Sequence, residues 1–212
     1  MAELEIIGAA QSNYVWVVRI AAAEKGVAYK FTPVRPHTPE VDAIHPFGKI
    51  PVMRHGDLEL FESKAICTYI DRAFQGPALM PADPAGYALA EQWVSCVNTT
   101  IDPTCVRQYI VGYAFPGTPD GSPNRRAIDG ALPNMQKQLP VLDKALAKTG
   151  HLVGDKLTLA DINLFPIAFY LQRFPESKAL MQEQRHLTAF IERMLARPSV
   201  KETTPPPPPK KT

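Results

Sequence analysis

The sequence predicts a small α/β layer followed by an all-helical domain. Three observations lead there. Over the first 75 residues, short apolar runs alternate with helical patterns. A break rich in proline follows, with Pro77, Pro81 and Pro84 behind Gly76. Beyond it the strand signal disappears and long helical periodicities take over.

Leu4-Glu5-Ile6-Ile7 reads as a strand ended by Gly8. From Asn13 the pattern turns helical, because Tyr14, Val17, Val18, Ala21 and Ala22 share one face at the 3.6 period and Gly26 stops the run. Tyr29–Thr32 reads as a second strand, and a short helix over Pro39–Ile44 follows. Val52–Arg54 and Leu58–Leu60 are brief strands joined across His55-Gly56-Asp57, a hairpin signal. A helix from Ser63 to about Phe74 closes a unit whose sheet is mixed and four-stranded. After the break, helices are predicted over Ala85 to about Tyr113, Asn124–Lys148, from Thr158 onward, and over Arg185–Ala196 before Pro198. The expected organisation is a first domain over 1–76, a linker over 77–84, a helical domain over 85–200 and a disordered proline-rich tail over 201–212.

Composition excludes several classes of function. The formal net charge is +2 with Lys and Arg scattered, which leaves no nucleic-acid footprint. No apolar stretch reaches the roughly 18 residues of a membrane span, so no membrane partner is expected. Cys67, Cys96 and Cys105 form no C-x-x-C pair, and their odd number fits a reducing compartment. The opening residues carry no basic and apolar leader pattern, so a cytoplasmic protein is expected. The five histidines are scattered, and no metal site is expected.

Three local signals carry chemistry or folding information. In Pro46-Phe47-Gly48-Lys49-Ile50-Pro51-Val52, Pro51 stands directly before a strand. A trans proline opening the strand and a cis bond that turns the Ile50 N–H and C=O outward are both consistent with that position. In Glu62-Ser63, the serine stands where a helix begins, so it reads as a cap. The same place also offers a carboxylate for an ammonium and N–H and O–H donors for a carboxylate, the needs of an α-amino-acid head group. In Leu157-Thr158-Leu159-Ala160-Asp161-Ile162, Thr158 and Asp161 hold the cap and N3 positions while Leu157 and Ile162 hold the staple positions. That element is a folding device, and Pro166 inside its helix is expected to kink it.

Taken in this order, these motifs and Gly8-Ala9-Ala10-Gln11-Ser12-Asn13-Tyr14 resemble the soluble glutathione transferases, from Leu4 to about Val200. The likeness leans toward the bacterial branch and toward groups that use serine rather than tyrosine. It implies a thioredoxin-like first domain, glutathione as co-substrate and an apolar electrophile as second substrate. It also implies a homodimer and a cis bond at Pro51. Ser12 would donate its O–H to the glutathione sulfur, with Tyr14 as competing donor; a plain cap role for Ser12 is compatible. Ile50 beside Pro51 would pair with the cysteinyl backbone, Glu62 and Ser63 would take the γ-glutamyl head, and Lys49 with His37 would reach the glycine carboxylate. Tyr14, Tyr109 and Tyr113 are candidate walls of the electrophile pocket, although core packing is the alternative for each. Cys67 reads as a small buried hydrophobe. An isomerase, dehalogenase or peroxidase on the same scaffold, and a non-catalytic binder of glutathione or a hydrophobic ligand, remain the alternatives.

Overall fold

The computed structural model describes residues 2–207. It divides into two compact units, one formed by the chain up to Met80 together with the segment from Leu195 onward, the other by Pro81–Met194. The first unit is built on strands β1 (Leu4–Ile7), β2 (Tyr29–Thr32), β3 (Val52–His55) and β4 (Leu58–Phe61). They lie in the order β2-β1-β3-β4. β1 runs parallel to β2 and antiparallel to β3, and β3 runs antiparallel to β4, so the sheet is mixed as the sequence predicts.

Helices α1 (Asn13–Glu24) and α3 (Ser63–Ala73) pack together on one face of the sheet. Val15, Trp16, Ile20, Ile66 and Ile70 are buried there, along with Cys67, whose thiol burial pushes up. A smaller cluster of Ile7, Val41 and Val52 carries the short helix α2 (Pro39–Asp42). The Ile50 side chain packs against this cluster, which anchors the chain just ahead of β3.

The first unit is completed by the far end of the chain, a feature the sequence reading placed elsewhere. Pro198, read as a helix stop, instead occupies the first position of a new helix, α10 (Pro198–Thr203). α10 packs on α1, and the Trp16 indole N–H donates to Thr203 Oγ1 at 3.1 Å. The Arg197 guanidinium forks onto Glu24 at 2.6 and 2.7 Å, and the Ser199 hydroxyl donates to the same carboxylate. Burial raises the Glu24 pKa, but these donors outweigh it and hold the carboxyl below its usual range. Residues 195–200 therefore group with the first unit rather than with the helical one. Residues 201–203, expected to be disordered, are helical, and Pro205 is buried. The tail expected beyond 207 lies outside the described residues.

The second unit is helical. Its first rod begins at α4 (Pro84–Cys96), capped by Asp83 Oδ1, which accepts the Gly86 N–H at 2.7 Å. The rod continues as wide π turns over Val97–Ile101 and Pro103–Ile110 and ends in α5 (Val111–Ala114). The uninterrupted α-helix predicted here is thus widened in its middle. Pro103 explains it: proline has no N–H, and its ring clashes with the carbonyl four residues back, so a wider turn relieves the crowding. Asp102 and Arg107, five apart, are brought together by the same widening and join at 2.8 Å. α6 (Arg125–Leu146) buries Ile128, Ala131, Met135, Leu139, Leu142 and Leu146 and keeps Pro133 and Pro140 on its exposed face. On that face the carbonyls left without a backbone donor can be met by water, which lowers the cost of each proline.

α7 (Leu159–Leu171) is buried at every residue except Phe169, which places it at the centre of the unit. It runs through Pro166 as one helical segment. α8 (Pro175–Gln182), not anticipated from the sequence, and α9 (Arg185–Ala196) follow. The turn into α7 is held by Asp161, which is fully buried. Its Oδ2 accepts the Thr158 N–H at 2.8 Å and the Thr158 hydroxyl at 3.2 Å, and its Oδ1 accepts the Leu152 N–H at 2.8 Å.

Asp161 therefore satisfies two buried backbone donors, not one. Asp161→Ala is expected to cost about 3 kcal/mol or more, since each orphaned buried donor costs roughly 1–3 kcal/mol. Urea unfolding checks this, and a loss below about 1 kcal/mol, the size of an ordinary cap, contradicts it.

Candidate active site

The sheet register assembles the first site. Ile7 stands opposite Val52, and Val52 stands opposite Phe61. One residue further out, Gly8, Pro51 and Glu62 form a row across the same end of three neighbouring strands. Adjacent strands lie about 4.8 Å apart, so the row spans about 10 Å. The loop from Gly8 leads to the N-terminus of α1, and Glu62 leads directly into α3. Two helix N-termini, each the positive end of a dipole, therefore open at this row.

Gly8 makes the row close-packed. A Cβ there would lie 2.6 Å from Val15 Cγ2 and 3.1 Å from Ile50 Cβ, so a side chain would push the loop and residue 50 apart. The Ile50-Pro51 bond is cis, resolving the alternatives left by the local sequence. Pairing with β1 begins at Val52, so Ile50 lies just beyond the ladder.

Ser12 is the N-cap of α1, and its Oγ accepts the Val15 N–H at a long 3.5 Å. This uses the oxygen and leaves the hydroxyl hydrogen available. Asn13, beside it, is buried, and Tyr14 is half-buried in the first turn. Ser12 and Tyr14 thus both belong to the start of α1, the helix that the loop from Gly8 leads into.

At the other end of the row, the cap position of α3 belongs to Glu62, with Ser63 as the first helical residue, so the expected cap role of Ser63 moves one residue back. Glu62 has φ 66°, uncommon for a residue other than glycine and the kind of strain held at functional positions. Its side chain makes no cap hydrogen bond and is 68% exposed. Ser63 is buried beneath it.

His37 and Lys49 are drawn together by Gly48. A Cβ on Gly48 would lie 2.2 Å from His37 Nδ1, and the His37 N–H donates to the Gly48 carbonyl at 2.9 Å. The exposed His37 and Lys49 therefore flank one buried glycine.

Sequence reasoning left His45 unassigned. It is only 3% exposed, with its ring 4.7 Å from Phe61 and its Nε2 4.0 Å from Glu62 Oε1. The signal was present: a histidine before Pro46, in the loop that must reach the row.

Within the helical unit, the tyrosines have other work. Tyr109 is fully buried, which removes it from the candidate pocket wall. Its hydroxyl donates to Glu176 Oε2 at 3.0 Å and accepts the Ser177 N–H at 3.0 Å. Tyr113 is half-buried, donates to the same Oε2 at 2.6 Å and stacks on Phe174 at 4.4 Å. Arg125 closes the group with an ion pair to Glu176 Oε1 at 2.8 Å. Burial pushes Tyr109 up to about 12, so it remains a donor. Burial also raises Glu176, but the donors from Tyr113, its own backbone, Arg125 and Tyr109 prevail and bring it down to about 2.

A mixed sheet with a cis-proline at the mouth of β3, capped by two helix N-termini and followed by a helical unit, defines a thioredoxin-like domain joined to an all-α domain. A family profile described as "Glutathione S-transferase, N-terminal domain" matches residues 6–78, and one described as "Glutathione S-transferase, C-terminal domain" matches residues 104–198. A rice protein (Oryza sativa subsp. japonica), "Probable glutathione S-transferase GSTF1", is 33% identical over 95% of each chain. Glutathione transferase F7 from Populus trichocarpa has a TM-score of 0.86 at 27% identity, covering 94% of this chain and 97% of its own. A glutathione S-transferase from Methylobacillus flagellatus, solved with glutathione bound, has a TM-score of 0.79 at 26% identity, covering 96% and 100%. This chain belongs to the glutathione S-transferase family. The expected lean toward the bacterial branch is not supported: similar curated proteins come from rice, wheat, maize and Arabidopsis.

The Glu176 group has a pH consequence. Its folded pKa of about 2 lies below the ordinary 4.5, so its contribution is complete above that ordinary value and is lost as pH falls toward 2. The stability gap between wild type and Glu176→Gln, read from urea midpoints, is expected to narrow from pH 7 to pH 3. A gap that stays constant with pH contradicts the assignment.

Proposed function

We propose that the chain is an active glutathione transferase of the serine type, with glutathione lying along the row from Ser12 past Pro51 to Glu62. One observation carries the reading: register and close packing bring Gly8, the cis Ile50-Pro51 bond and Glu62 to one end of the sheet. Outward-facing backbone at Ile50 suits the cysteinyl segment of a tripeptide. Glu62 offers a carboxylate for the α-ammonium, and the N-terminus of α3 with Ser63 offers donors for the α-carboxylate. Lys49 and His37 flank Gly48, where a terminal carboxylate can be met. The solved relative that carries glutathione supports the choice of tripeptide.

The chemistry follows from the thiol. A free thiol of this kind has a pKa of about 8.5, so only a few per cent is thiolate at neutral pH. The Ser12 hydroxyl, free to donate, and the N-terminus of α1 both favour the anion. A lowering of about two units corresponds to roughly 2.7 kcal/mol and makes most of the bound thiol reactive. Ser12 acts as a hydrogen-bond donor to the sulfur, and the sulfur attacks an apolar electrophile. Tyr14 in the first unit and Tyr113 in the second each keep partial exposure.

A cytoplasmic homodimer completes the proposal. Phe47 is 70% exposed and Phe61 is exposed on the edge strand β4, both against the His45 ring, an apolar surface suited to a second copy. Sedimentation as a monomer at micromolar concentration contradicts the dimer.

Ser12→Ala is expected to lower kcat at least tenfold in conjugation of glutathione to a chlorinated nitrobenzene while leaving the glutathione Kd within about twofold, because the lost interaction serves the reacting sulfur. Unchanged turnover in this variant, with a loss in Tyr14→Phe instead, assigns the donor to Tyr14 and overturns the role of Ser12.

A further inference from the structure

Glu62 is placed by a strained backbone, yet nothing on its own helix holds its carboxylate. Among the described residues, the polar side chain facing it is His45. The Phe47 N–H donates to His45 Nδ1 at 3.1 Å. A ring nitrogen that accepts carries no proton, so in the neutral ring the hydrogen sits on Nε2. That nitrogen faces Glu62 Oε1 at 4.0 Å. The ring itself is fixed: it is 3% exposed and packed between Phe61 at 4.7 Å and Phe47 at 6.1 Å. A rigid donor thus stands beside an exposed, strained carboxylate.

We propose that His45 is a positioning residue for glutathione recognition: its Nε2–H orients the Glu62 carboxylate toward the α-ammonium of the γ-glutamyl head. The inference rests on the proposed glutathione site and deepens it. His45 touches neither the reacting sulfur nor the electrophile; it acts through Glu62. The gap at Nε2 closes to a hydrogen bond when the carboxylate is drawn in by the ammonium, and burial under the tripeptide strengthens that bond. The alternative is that His45 only packs the loop, through Phe61, Phe47 and the Phe47 N–H.

His45→Asn separates the two roles. The asparagine carbonyl can keep the Phe47 N–H bond at the Nδ1 position, while the donor aimed at Glu62 is removed. Binding of glutathione and of its deaminated analogue, which lacks the α-ammonium, is measured by calorimetry on wild type, His45→Asn, Glu62→Gln and the double variant. The expected result is a threefold to fivefold weaker Kd for glutathione in His45→Asn, less than twofold change for the analogue, and no further loss when Glu62→Gln is already present. His45→Gln, which can return a donor near the Nε2 position, is expected to recover part of the affinity. Equal weakening for both ligands, or additive losses in the double variant, makes His45 a packing residue and overturns the proposal. No change for either ligand overturns it as well. Failure of the wild type to bind glutathione is a different outcome, which removes the proposed site itself.

Discussion

The register Ile7–Val52–Phe61 across three strands is the constraint on which the site depends. Strand pairing has a side-chain period of two, so a slip of one residue would turn the Val52 side chain from the core and carry Pro51 and Glu62 away from Gly8. The small cluster of Ile7, Val41 and Val52, with Ile50 against it, opposes such a slip by burying one face of the register. Gly8 adds a second lock by allowing Ile50 and Val15 to close on the backbone where any side chain would intrude. The geometry of the row is thus a by-product of core packing, with Gly8, Pro51 and Glu62 one residue beyond the last paired ones.

Polar groups do in the rest of the molecule what apolar packing does in the sheet. Asp161, buried in the helical unit, ties two backbone donors and the Thr158 hydroxyl at the start of α7. Glu176 gathers Tyr109, Tyr113 and Arg125 at the start of α8. In the first unit, Glu24 takes the Arg197 fork and so anchors α10 to α1. Asp161 and Glu24 would be costly to bury alone and are satisfied by several donors, the condition under which buried charge persists, while Glu176 keeps partial exposure.

Much of this was legible from the residues. Short apolar runs and turn residues placed all four strands, the 3.6 period placed α1, and long helical stretches placed α3, α6 and α9. The Thr158–Asp161 spacing announced the start of α7, although its two-donor role required Leu152, distant in local pattern, to be seen in space. The misses have physical causes. Pro198 reads as the stop after the last helix, yet proline at a first helical position loses no hydrogen bond, so α10 begins there, as α8 begins at Pro175. The π turns around Pro103 continue the rod without a loop, so no break in the sequence marks them. Tyr109 looked like a pocket wall because its hydroxyl partner, Glu176, lies 67 residues away. Ser63 looked like a cap, but the positive φ of Glu62 shifts the helix start by one. His45 stands visibly before Pro46 in the sequence, but its neighbours Phe61 and Glu62 are brought to it only by the fold.

The site's central claim is one of placement: a thiol tripeptide lies along the row with its sulfur at Ser12. A crystal structure of the chain with reduced glutathione tests it most directly. The account predicts the cysteinyl backbone paired with Ile50, the head group on Glu62 and Ser63, and the sulfur within hydrogen-bond reach of the Ser12 hydroxyl. Glutathione held elsewhere on the surface, or a sulfur turned from Ser12 toward Tyr14, would contradict it.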